Sequence, residues 1–218
     1  LYVDPEFARA LLNQPEAGRL GGRRQEVAIL MADIRGFTPM AERLSPEETI
    51  DVHNRYFSAI IPLVQKHGGI IVDFVGDAIL VFFEPMDDSL AATAQRCVRC
   101  AFDMHATMGH LNRQMESLDL PTLNMGIGIN SGPVVVGNIG SEERKKYGIV
   151  GAAVNTTQRI QGQSDAGEVM VSEAVYGMIT SQVGVARTFS TSLKGVPSPV
   201  QLYVIEPGEG KHITAQKD

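Results

Sequence analysis

Two carboxylates and an amide–guanidinium pair stand out as groups able to work together on an anionic substrate. Asp33 closes the apolar run Val27–Ala32, and Asp77 follows Gly76 between the apolar runs Ile70–Val75 and Ala78–Phe83. Either aspartate alone is ordinary turn chemistry, Asp33 as a cap and Asp77 as part of a type I′ hairpin. Together, at the ends of buried strands, they offer hard oxygen ligands to Mg²⁺ or Mn²⁺, with substrate phosphates completing the coordination. Asn155 and Arg159 lie four apart, so a helix would present them on one face. Arg159 would bring a planar fork of donors to a phosphoryl group, and Asn155 an amide to orient a neighbouring ring. Between these groups, Ile34-Arg35-Gly36-Phe37-Thr38 leads from a strand into a helix, where backbone N–H groups can cradle phosphate.

The elements that must position these groups can be read from the pattern. A buried strand at 26–33 precedes a short helix near Phe37–Arg43. Ser45-Pro46-Glu47-Glu48 is a capping box with Pro at the first turn, and the helix it opens ends at His67-Gly68-Gly69, with a kink expected at Pro62. A hairpin turning at Gly76-Asp77 follows, then a helix over 88–116 whose apolar stripe includes Cys97 and Cys100. Their C-x-x-C spacing has no matching His and lies on that stripe, so both read as packing residues, and reduced thiols suit a cytoplasmic location. Strands near 122–130 and 133–138, turning at Ser131-Gly132, are followed by a strand at 147–150 and a helix at 152–163. A strand at 168–171, a helix at 172–180 and strands near 184–190 and 199–205 complete the order. The fold class is α+β: a ferredoxin-like βαββαβ core, an antiparallel sheet with helices covering one face, and additional C-terminal strands and helices.

Residues 1–24 read as a connector, a short helix at Phe7–Asn13 leaving through the polar, flexible stretch Gly18–Arg24; 25–206 read as one domain and 207–218 as a flexible tail. A first residue Leu1 rather than Met suggests a piece of a longer protein, whose missing region would hold a sensor or a membrane anchor. With 218 residues, 44% hydrophobic and 20% charged, the composition is that of a globular domain, and a net charge of −6 argues against nucleic acid or an anionic membrane surface as partner.

Over residues 25–206 the ordered set Met31-Ala-Asp33-Ile-Arg-Gly-Phe-Thr38, Gly68-Gly69, Val75-Gly76-Asp77-Ala, Met125–Gly132, Gly137-Asn-Ile-Gly140, Val150-Gly151-Ala-Ala-Val154-Asn155-x₃-Arg159 and Leu193-Lys194-Gly195 resembles the class III nucleotidyl (adenylate/guanylate) cyclase catalytic domain. The resemblance implies a lyase that turns a purine nucleoside triphosphate, GTP or ATP, into its 3′,5′-cyclic monophosphate and pyrophosphate with two divalent cations. It implies a metal site at Asp33, Ile34 and Asp77, phosphate contacts at Gly36, Phe37, Thr38 and Lys194, and Asn155 and Arg159 as the pair acting on ribose and transition state. It further implies a homodimer with head-to-tail shared sites, one chain bringing the metals and the other Asn155, Arg159 and the base-selecting residues.

At the base-selecting positions the chain carries Asp73 and Gly148, similar to cyanobacterial-type guanylate cyclases rather than to the Lys of adenylate cyclases. A carboxylate accepts from guanine N1–H and N2–H₂, and neither position supplies a cation for adenine N1, so GTP is favoured over ATP. Asp is about 1.5 Å shorter than the Glu of guanylate cyclases. A catalytically degenerate dimerising module would be expected to have lost one of these residues, and the Gly-Gly-acidic-acidic-Phe signature of diguanylate cyclases is absent.

Overall fold

The structure, a computed structural model, describes residues 21–86, 89–141, 143 and 145–208. The proposed helix at Phe7–Asn13 and nearly all of the proposed tail lie outside the described residues. The elements in chain order are β1 (Gly21–Ile34), α1 (Phe37–Ala41), α2 (Pro46–Lys66), β2 (Ile70–Val75), β3 (Ala78–Phe83), α3 (Leu90–Glu116), β4 (Met125–Gly140), β5 (Lys145–Val150), α4 (Ala152–Gln161), β6 (Val169–Ser172), α5 (Glu173–Ile179), β7 (Val183–Thr191) and β8 (Val200–Pro207).

The first four strands stand in the order β2-β3-β1-β4, all antiparallel, which is the ferredoxin-like core. Beyond β4 the sheet continues through β6, parallel to β4, and then β8 and β7; β5 pairs with the far half of β4. Strand alternation sorts the core. Ala28, Leu30, Ala32 and Ile34 face α2, α3 and α5, while Val27 and Ile29 face the other side with Val134, Val136 and Ile149. Helix α2 begins with the capping box, Ser45 Oγ accepting from Glu48 N–H and Glu48 from Ser45 N–H, and runs through Pro62 to Lys66. Cys97 and Cys100 are buried in α3, and burial pushes both thiols up, Cys100 to about 12.

Two expectations need correction. Gly21–Arg24 is not a flexible exit: it is the start of β1, paired from Gly21 opposite Asn138 onward, with Arg23 Nη2 3.1 Å from Glu84 Oε1. Ser131-Gly132 is not a turn: β4 is one continuous strand, with Ser131 opposite Ala28 and Gly132 opposite Val27. The core helices α2 and α3 share one face of the sheet as expected, and α4, an additional helix, lies against the other.

One cause links the unbroken β4 to the placement of α4. Gly126, Gly128 and Gly132 lie on the α4 side of β4, where a Cβ at Gly128 would overlap the backbone of Gln161 and one at Gly132 would stand 3.2 Å from Ala153 Cβ. The glycines serve close helix–sheet approach rather than turning. Gly128→Ala is therefore expected to destabilise the fold by about 1–3 kcal/mol or more, since backbone on both sides must give. Thermal unfolding measures it, and an unchanged Tm would show that α4 is free to lift.

Candidate active site

β1 delivers Asp33 to the open end of the sheet, opposite Gly126 of β4. Asp77 arrives from the two-residue turn between Val75 and Ala78, where Gly76 has φ 65° and Asp77 a negative φ. Positive φ at the first central residue alone is the II′ pattern, so the I′ assignment is corrected. The turn aims Asp77 at the end of β1: Ile34 N–H donates to Asp77 Oδ2 at 3.1 Å. The carboxyls of Asp33 and Asp77 approach closely enough to hydrogen-bond, and Asp33 is pushed up to about 6, first by burial and then by Asp77, with Arg35 and Ile34 N–H pulling the other way. Beneath them lies the buried Tyr56, whose hydroxyl is 3.6 Å from Met125 Sδ; burial first, then the two carboxylates, hold this phenol protonated.

A carboxylate whose charge burial and a neighbouring carboxylate disfavour, as at Asp33, is what a divalent cation relieves, so the residues fit a metal site; among the described residues no third acidic, His or Cys side chain joins them. The sign of the pH effect follows. Between about pH 3.8 and 6 the folded chain holds a proton on Asp33 that the unfolded chain releases, so without metal this group's contribution to stability falls as pH rises through that window. A cation competes with that proton. Thermal unfolding with and without Mn²⁺ is expected to show a larger Mn²⁺-induced rise in Tm at pH 7.5 than at pH 5; equal rises would mean that Asp33 is not a ligand.

Next to Asp33, Gly36 has φ 71° and opens the five-residue α1, Phe37 is buried and Thr38 exposed. Phe37 stacks on His53 at 4.3 Å, which fixes the loop against α2. Asn155 is exposed and Arg159 half-buried one turn further along α4. A Cβ at Gly195 would lie 3.4 Å from Arg159 Nη1, so the guanidinium rests beside the loop that carries the exposed Lys194. Asp33, Ile34 and Asp77 thus form one group, and Asn155, Arg159 and Lys194 another.

The third group lies on β2 and β5. Asp73 is exposed at a register irregularity in β2, and Gly148 is buried, with Val72 Cγ1 3.1 Å from where a Cβ would stand. Lys146, which the sequence reading passed over, places Nζ 2.6 Å from Asp73 Oδ2. Its signal was available: two residues before Gly148 in a strand, it projects from the same face. Neither Asp73 nor Gly148 carries a cation, but Lys146 brings one to the Asp73 carboxylate. Arg35, two after Asp33, was passed over for the same reason. Its Nη1 is 3.9 Å from Asp33 Oδ2, and its Nη2 reaches the end of α4.

Comparison with known proteins now bears on this geometry. The model of the adenylate and guanylate cyclase catalytic domain family matches residues 21–207. Adenylate cyclase 1 of Rhizobium meliloti (strain 1021) is 31% identical over 211 residues, 94% of this chain and 31% of that protein. The adenylate cyclase of Anabaena cylindrica is 28% identical over 196 residues, 88% of this chain and 38% of that protein. The chain spans about a third of the length of these curated relatives. Among solved structures, the guanylyl cyclase Cya2 is similar with a TM-score of 0.82 at 41% identity, covering 88% of this chain and 98% of that one. The adenylyl cyclase CyaB from P. aeruginosa has a TM-score of 0.82 at 32% identity, covering 87% and 97%. With a family match that begins at the first strand and ends at the last, the chain belongs to the adenylate and guanylate cyclase catalytic domains.

Proposed function

We propose that this domain is an active, divalent-metal-dependent homodimeric cyclase that converts GTP to cyclic GMP and pyrophosphate. The observation that carries the catalytic reading is the convergence of Asp33 and Asp77 at the end of β1, where Ile34 N–H donates to Asp77 Oδ2 at 3.1 Å and burial first, then Asp77, push Asp33 up to about 6. Asp33, Asp77 and the Ile34 carbonyl would hold Mg²⁺ or Mn²⁺. Bound there, the ions would make the ribose 3′-hydroxyl a better nucleophile and neutralise phosphate charge. The 3′-oxygen attacks the α-phosphorus as its proton passes to solvent water, and the bond from the α-phosphorus to the oxygen bridging it to the β-phosphate breaks, releasing pyrophosphate. Arg159 donates to the charge developing on the α-phosphate, Asn155 orients the ribose, and Lys194 with the Gly36-Phe37-Thr38 backbone meets the remaining phosphates.

A homodimer is supported by apolar surface that a second copy would cover: Val135, Ile139 and Val150 on the β4–β5 arm and Val75 at the hairpin are each at least 40% exposed. In the head-to-tail arrangement, one chain brings Asp33 and Asp77 to a site that the other completes.

GTP rests on Asp73, whose exposed carboxylate matches the paired N–H donors of guanine. The 41% identity to a guanylyl cyclase agrees with it. One observation favours ATP as a second reading: Lys146 beside Asp73 supplies a cation for adenine N1, and two curated relatives are named adenylate cyclases. The test is product identification by mass after incubation with Mn²⁺ and either GTP or ATP. Mainly cyclic GMP is expected. Mainly cyclic AMP would move base selection from Asp73 to Lys146, and no product from a verified dimer would leave a degenerate module.

A further inference from the structure

Within one chain, Arg35 lies between the Asp33 carboxylate and the C-terminal end of α4, the helix that carries Asn155 and Arg159. Its backbone N–H continues the line of β1, donating to Asn124 O at 2.7 Å, so its side chain leaves from the face that carries Asp33. Nη1 lies 3.9 Å from Asp33 Oδ2. Nη2 donates to Gln161 O at 2.5 Å, Ser164 O at 2.7 Å and Ser164 Oγ at 2.9 Å. The final carbonyls of a helix have no partner inside it and carry partial negative charge, so a guanidinium there both satisfies them and opposes the dipole. Nε is buried and meets no acceptor among the described residues. Gly126 makes the room, since a Cβ there would stand 2.6 Å from both Nε and Nη2.

We infer that Arg35 is a positioning residue that links the two half-sites one chain contributes: the carboxylates of one and, through the end of α4, Asn155 and Arg159 of the other. The inference rests on the shared-site reading proposed above. Its consequence is specific. Removing Arg35 from one chain weakens the site whose carboxylates belong to the other chain.

A heterodimer separates the two contacts. One differently tagged chain carries Asp33→Ala and the other Arg159→Ala, and tandem purification isolates the mixed dimer. Its one complete site takes its carboxylates from the Arg159→Ala chain and its α4 from the Asp33→Ala chain. Turnover by this parent dimer is read first. Its absence overturns the shared-site reading, and the inference with it.

Arg35→Met is then added to the Asp33→Ala chain alone, whose own carboxylate half-site is already disabled. A fall in kcat of about 10-fold or more is expected, because small misplacement of a catalytic group is costly, with half-saturating Mn²⁺ unchanged. Gly126→Ala on the same chain, which intrudes on the guanidinium without removing charge, should act in the same direction. Arg35→Lys should restore part of the loss and serves in place of Arg35→Met if that chain does not enter the dimer. Unchanged kcat, with loss only when Arg35 is altered on the Arg159→Ala chain, would overturn the inference: Arg35 would then serve its own Asp33 alone.

Discussion

Arg159→Ala is expected to lower kcat by about 10²–10³-fold while KM for the nucleotide changes only a few-fold, the pattern of a donor lost from a preorganised anion site. The geometry favours this split. Arg159 is held half-buried against Gly195, so its fork is placed before substrate arrives, and its removal leaves the core intact. Initial rates at saturating Mn²⁺ and GTP measure it, with thermal unfolding as the control for folding. Arg159→Lys should recover little, because a point charge cannot reproduce two parallel donors. A large rise in KM at constant kcat would instead make Arg159 a ground-state phosphate clamp.

Asp33→Asn should move activity and stability in opposite directions. Loss of a carboxylate proposed to hold the metal is expected to reduce turnover on the order of 10³-fold or more. The same change removes a charge that burial and Asp77 disfavour, so the metal-free variant should unfold a few degrees higher at pH 7.5 than the parent. Mn²⁺ should then add little to its Tm. A lower Tm without metal would mean that Asp33 supports the fold rather than straining it.

Elements whose signals are local were legible in the sequence. The Ser45 capping box, the stop at Gly68 and the stripe carrying Cys97 each depend on neighbours within a turn or two, and each formed as read. What could not be read depends on the partner. Ser131-Gly132 has the composition of a turn, yet its glycine meets a tertiary demand, the approach of Ala153, that nothing nearby in sequence announces. Gly21–Arg24 lacks apolar residues because it pairs with the far end of β4 where the sheet is exposed. At the candidate site the reverse holds: Asp33, Asp77, Asn155 and Arg159 were singled out by type and place, whereas Lys146 and Arg35 needed one further step, the period-two projection of a strand.

The position of Asp73 has a cost for anyone wishing to test its proposed role in base selection by substitution. Among the described residues β2 ends the row of strands, pairing along the sheet with β3 alone, and its ladder is interrupted between Ile71 and Asp73. Next to the exposed Phe74 and Val75, the charge at 73 and the break beside it keep an apolar outer strand from templating sheet growth between molecules. A library at this position is thus filtered twice, by nucleotide choice and by solubility. Charged replacements should survive expression, and aliphatic ones should be lost to inclusion bodies before their specificity is ever assayed.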